Sequence, residues 1–132
     1  TQAGSVPKRS GKVRDVYDLG DRLVLVATDR ISAFDWILPT GIPEKGKILT
    51  AMSLFWFRFL GQTGQILSTE LADMGPEFVR QPDVFGGRSI MVKRTEVFPV
   101  ECVARGYMAG SAWNEYRRSS TINGIPIPPG LQ

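Results

Sequence analysis

Apolar and polar positions alternate in blocks that mark out elements along the chain. Val13 to Tyr17, a polar turn at Asp18-Leu19-Gly20-Asp21, and Leu23 to Thr28 predict a β-hairpin. The second of these strands, Leu-Val-Leu-Val-Ala, is apolar without alternation, as expected for a strand covered on both faces. Lys12 and Arg14 share one face by the period of two, so both can reach one anion. Ile48, Leu49, Met52, Phe55, Trp56, Phe59 and Leu60 repeat at helical spacing, and Gly61 closes the run. This predicts a helix over 48–60 whose aromatic stripe packs in a core against a sheet rather than stacking on bases.

The remaining stretches are less periodic. Residues 1–9 are small, polar and basic, which predicts a flexible N-terminus. Residues 36–47, with Pro39, Gly41, Pro43 and Gly46, read as a loop. Short strands are predicted at 65–69 and 77–80, a loop at 81–87, and two longer strands at 88–94 and 97–107. A helix follows over 112–118 with Ser111 as its N-cap. Residues 122–132, rich in Pro and Gly, read as an extended tail.

At 132 residues and 42% hydrophobic, the chain can bury a core of its own. Sixteen basic against 13 acidic residues give a net charge of +3, and the dense basic group is Lys8, Arg9, Lys12 and Arg14. A group of that size suits a polyphosphate better than a duplex, so no nucleic-acid partner is expected. The chain has no His, which removes Ser-His and Cys-His nucleophiles and histidine metal sites together. No acid/base catalyst is identified, and chemistry must rest on charge stabilisation and positioning. The single Cys102 excludes an internal disulfide framework and reads as a buried thiol in a reducing compartment. No apolar run is long enough to span a bilayer, and no membrane partner is expected. These traits together point to the cytoplasm.

Several segments carry candidate chemistry, each with a plainer reading beside it. In Ser10-Gly11-Lys12-Val13-Arg14-Asp15, glycine lets the backbone approach a phosphate and the two cations neutralise it. The plainer reading is a turn with a solvated basic face. Gly41 to Lys47 matches G-x-x-x-x-G-K, but Ile48 stands where a P-loop needs Ser or Thr, and Pro43 removes a cradle N–H. Thr28-Asp29-Arg30-Ile31-Ser32-Ala33-Phe34-Asp35 gathers polar side chains at a strand exit, or else is a turn with a local ion pair. Pro99 to Ser111 sets Glu101 and Arg105 before a Gly110-Ser111 helix start, a combination suited to a phosphate-bearing small molecule.

Taken in order, SGKVRDVYD at 10–18, TDRISAFD at 28–35 and PVECVARGYMAGS at 99–111 resemble the SAICAR synthetase (phosphoribosylaminoimidazole-succinocarboxamide synthase) family, over roughly Ser10 to Tyr116. The family's later Asp-x-Lys-x-Glu-x-Gly segment does not occur here, so the resemblance is to an N-terminal half. It implies an α/β (α+β) fold, a twisted and mostly antiparallel sheet with packed helices in a kinase-like ATP-binding layer. It also implies an ATP- and substrate-binding domain over 10–118, with 119–132 as an extended connection to a C-terminal domain.

By the same resemblance, Gly11, Lys12 and Arg14 hold the ATP phosphates, and Val92, Lys93 and Arg94 belong to the strand that holds adenine. Asp35, Lys45, Glu101, Arg105 and Ser111 would contact substrate, and Asp29, Arg30 and Ser32 would be substrate-site residues with no individual role assigned. The implied reaction is a carbon–nitrogen ligation in purine biosynthesis. ATP phosphorylates the carboxylate of CAIR, the L-aspartate amine attacks the acyl phosphate, and SAICAR, ADP and phosphate result. Mg²⁺ would bridge the phosphates, with its carboxylates outside these residues. A monomer or homodimer is expected, and the 132 residues alone are expected to lack ligase activity. Two other classes stay open: a non-catalytic nucleotide- or polyanion-binding module, and a small-molecule kinase.

Overall fold

A computed structural model describes residues 4, 6–100, 102, 104 and 106–131. The chain divides into two compact units after Glu96, a boundary inside the expected 10–118 domain. The first unit is built on a five-stranded sheet in the order β1-β2-β3-β7-β6, every neighbouring pair antiparallel. Its strands are β1 (Lys8–Ser10), β2 (Arg14–Asp18), β3 (Arg22–Ala27), β6 (Ile66–Ser68) and β7 (Ser89–Lys93). Between β3 and β6 lie a small hairpin, β4 (Ser32–Ala33) with β5 (Trp36–Ile37), and helix α1 (Lys45–Phe59). Three one-turn helices, α2 (Leu71–Met74), α3 (Pro76–Val79) and α4 (Pro82–Phe85), precede β7.

The β2–β3 hairpin forms as the two runs around the polar turn predict. Its turn is tied by the Gly20 N–H donating to Asp18 Oδ1 at 2.9 Å, with Gly20 at φ 91° where a side chain would be strained. Tyr17, Val24, Val26 and Met91 line one face of the sheet and pack on Met74, Phe78 and Phe85 from the short helices. The Tyr17, Phe78 and Phe85 rings meet edge-on, with centroids 4.9 to 5.8 Å apart. Each such aromatic contact adds about 0.5–1.5 kcal/mol beyond its burial.

Several expectations need correction. Lys8 and Arg9, grouped with a flexible N-terminus, belong to β1 and pair with Tyr17 and Val16. Val24 and Val26 are fully buried, but Leu23, Leu25 and Ala27 on the other face are only half-buried, so β3 is not covered on both sides. The expected strand over 77–80 is instead the end of α3 and its C-cap Arg80, because Pro76 at the first helical position has its φ pre-set and follows the Gly75 break. Pro82 does the same for α4 inside the expected 81–87 loop. No strand forms among the described residues of 97–107, and Cys102 is exposed rather than buried.

The helix over 48–60 is present but begins at Lys45 and turns a different face inward. Gly46 and Thr50 are buried, with Leu54 and Phe57 half-buried on the same stripe. The large residues Met52, Phe55, Trp56 and Phe59 are 50–70% exposed, and the three rings among them contact one another. The cause is steric. A Cβ on Gly46 would lie 2.2 Å from the Ala27 carbonyl oxygen, so only the glycine side of the helix can approach β3 this closely.

The second unit holds α5 (Gly110–Ser119) and a hairpin, β8 (Thr121–Ile122) with β9 (Ile125–Pro126). The helix starts earlier than expected, with Ala109 rather than Ser111 as its N-cap. The hairpin replaces the first half of the expected tail. Asn123 (φ 50°) and Gly124 (φ 76°) make its two-residue turn, the Asn-Gly signature of such loops. The Tyr116 hydroxyl donates to the Pro128 carbonyl at 2.9 Å and accepts from the Leu131 N–H at 3.0 Å, which fastens the following residues to α5.

Candidate functional site

The strand register sets two different surfaces on the main sheet. Opposite the core face, Val16 pairs with Leu25 and Leu25 with Ile90, while Asp18 pairs with Leu23 and Leu23 with Val92. These side chains give a half-buried apolar strip, Val16, Leu23, Leu25, Ala27, Ile90 and Val92, running across three strands. Arg14, paired with Ala27, stands at one end of the strip. Among the described residues its guanidinium makes no hydrogen bond or ion pair, and it is exposed.

The turn between β1 and β2 lies at that same end. The Gly11 N–H donates to the Arg14 carbonyl at 2.7 Å, and the Val13 carbonyl accepts from both the Thr28 N–H (3.1 Å) and Thr28 Oγ1 (2.8 Å). Lys12 is part of the turn and not of a strand, so period two does not set its face; its ammonium is paired with Asp35. Asp35 itself lies with Phe34 in the two-residue turn of the β4–β5 hairpin, at φ 69° and 49°. Such values suit glycine or asparagine, and Phe34 holds one without them.

Behind the turn is a network of ion pairs that the spacing did not reveal. Arg88, just before β7, holds Asp29 through two hydrogen bonds of 2.9 and 3.3 Å. Asp29 Oδ1 also accepts the Gly46 N–H at 2.8 Å, so a carboxylate caps the start of α1. Burial alone would raise the Asp29 pKa, but the Gly46 N–H and Arg88 outweigh it and hold the carboxyl below its usual range. The G-x-x-x-x-G-K stretch thus has its Gly46 amide already occupied by this chain. Lys45 Nζ donates to the Arg30 carbonyl at 3.1 Å.

The remaining candidates are spread out. Val92 lies in the strip, but Lys93 pairs with Arg22 on the sheet's other face. Arg94 Nη1 and Nη2 each donate to Asp18 at 2.8 Å, and Nη1 also to the Gly20 carbonyl. Arg94 and the Gly20 N–H lower the Asp18 pKa. The backbone N–H groups of Lys93 and Arg94 already donate to Gln65 and Asp21 carbonyls at 3.0 and 3.2 Å. In the second unit Ser111 lines a cleft of about 990 Å³ together with Tyr107, Trp113, Ile122 and Leu131. Glu101 and Arg105 lie outside the described residues. Among the described residues no three acidic or Cys side chains cluster as a metal site.

The family model described as SAICAR synthetase matches residues 8–132. The chain belongs to the SAICAR synthetase family. It is 50% identical over 124 residues to a phosphoribosylaminoimidazole-succinocarboxamide synthase of Syntrophobacter fumaroxidans, covering 92% of this chain and 41% of that protein. A solved structure described as SAICAR synthase superposes with a TM-score of 0.87 at 38% identity, over 98% of this chain and 47% of the other. A SAICAR-synthase from Saccharomyces cerevisiae complexed with SAICAR gives 0.81, also at 38% identity and the same coverages. The chain therefore spans less than half the length of these SAICAR synthetases. The mixed α/β architecture on an antiparallel sheet is that of the family.

Proposed function

We propose that this chain forms the nucleotide-binding part of an ATP-dependent ligase that joins CAIR to L-aspartate, giving SAICAR, ADP and phosphate. One observation carries the reading in the geometry: Arg14, unpaired among the described residues, and a glycine turn at the end of a half-buried apolar strip. A nucleotide needs an apolar wall for its base and convergent cations for its phosphates, and the two occur here side by side. Lys12 would join them once phosphate competes with Asp35. The family's name supports the ligation, and the SAICAR complexed with the yeast protein supports the product. Aspartate and CAIR are proposed on the family alone, with Asp35, Lys45, Glu101, Arg105 and Ser111 as their candidate contacts. Mg²⁺ is proposed to arrive with the triphosphate. Among the described residues no cluster of acidic side chains forms a cage for it.

An acyl phosphate is a strong electrophile, so the chain's cations can contribute by holding the phosphates still and neutralising their charge. Titration with ATP, pyrophosphate and adenosine, with Arg14→Ala alongside, tests the reading. ATP should bind more tightly than either fragment, and Arg14→Ala should weaken ATP about tenfold, the size of one lost charge-assisted contact. Equal binding of all polyphosphates, falling steeply with salt, would instead favour a polyanion module. ADP formation with a stable phosphorylated product, independent of aspartate, would favour a kinase.

A further inference from the structure

Arg30 stands where the strand exit after β3 meets the Gly11–Arg14 turn. Its Nε donates to the Lys12 carbonyl at 3.2 Å, and its Nη2 donates to the Gly11 carbonyl at 3.0 Å and to Asp15 Oδ1 at 2.7 Å. Asp15 is fully buried in β2, while the Arg30 side chain is 31% exposed. A guanidinium is planar with its donors in a fixed fork, so bonds to three acceptors fix their relative positions. The backbone of Arg30 is itself held. Its N–H donates to Thr28 Oγ1 at 3.3 Å, and its carbonyl accepts from Lys45 of α1. Two successive carbonyls of the turn are therefore tied to a buried strand and to a helix.

We propose that Arg30, braced by Asp15, is a positioning residue for nucleotide phosphate. It fixes the Gly11–Arg14 turn and engages its carbonyl oxygens, whose partial negative charge would otherwise oppose a polyphosphate. The phosphates then meet Lys12 and Arg14 in one geometry. This rests on the nucleotide reading above. A direct phosphate contact by Arg30 is the competing role, and charge alone would serve it.

The experiment compares Arg30→Lys, Arg30→Gln and Asp15→Asn with the unaltered chain by calorimetric titration with ATP and, separately, adenosine. Lysine keeps the charge but cannot span three acceptors. Both Arg30 variants should bind adenosine as the unaltered chain does and bind ATP about tenfold more weakly, with faster hydrogen exchange at the Gly11 amide. Asp15→Asn should show the same selective loss; if it fails to fold, the two Arg30 variants decide. ATP binding by Arg30→Lys at full strength would overturn positioning in favour of charge. An equal loss for adenosine and ATP would overturn it in favour of a general role in folding. If the unaltered chain shows no preference for ATP over adenosine, the nucleotide reading itself fails, and the positioning role with it.

Discussion

Asp29 accepts from two donors far apart in the chain, the Gly46 amide and the Arg88 guanidinium. Its carboxyl is held below the ordinary value of 3.8, so its contribution to stability is complete above that pH and is lost as pH falls through the lower, folded value. Asp29→Asn should cost about 1.5–3 kcal/mol at neutral pH by urea denaturation, the range for a hydrogen bond to a charged group. The deficit relative to the unaltered chain should shrink as the pH is taken below 3.8. At this scale the sequence was only partly legible. Spacing pointed to Lys12 and Arg14 as cations beside a glycine turn. It could not show that Arg30 reaches back to Asp15, Gly11 and Lys12, because those contacts exist only once β3 has paired with β2.

Periodicity located α1 but assigned its inward face wrongly. The helix is apolar on more than one side, and the pattern of apolar residues cannot say which side has the clearance to approach a strand. Gly46 decides it. Gly46→Ala should lower stability by about 1–3 kcal/mol, the usual cost of an added group in a packed site, read as a fall in thermal midpoint. The β8–β9 hairpin was legible in principle, since Asn123-Gly124 between isoleucines is a strong two-residue turn signal; the surrounding prolines obscured it. Glu115 holds that turn, accepting from the Gly124 and Asn123 amides and from Thr121 Oγ1 at 2.8–3.1 Å. These bonds, the Gly124 amide foremost, lower its pKa. Glu115→Gln should speed hydrogen exchange at both amides. In the unaltered chain the same protection should fade as pH drops through the depressed value, below 4.5.

For the chain as a whole, the β2–β3 hairpin, the antiparallel sheet and the family were all readable. The pairing of β7 between β3 and β6 was not, since nothing local to 88–94 names its neighbours. The exposed side of α1 carries Phe55, Trp56 and Phe59 in mutual contact, a patch of the kind that binds apolar dyes. Replacing Phe55 and Phe59 by Gln should cut dye fluorescence and shift stability by under about 0.5 kcal/mol each, as at other exposed positions. The sheet order also has a consequence for synthesis. β3 emerges with one edge paired to β2, and its other edge must wait for β7, roughly 60 residues later, at about 5–20 residues per second. For several seconds the nascent chain thus offers an open strand edge bearing Val24 and Val26. This interval, rather than any weakness of the finished sheet, is when the polypeptide is most open to pairing with the wrong neighbour.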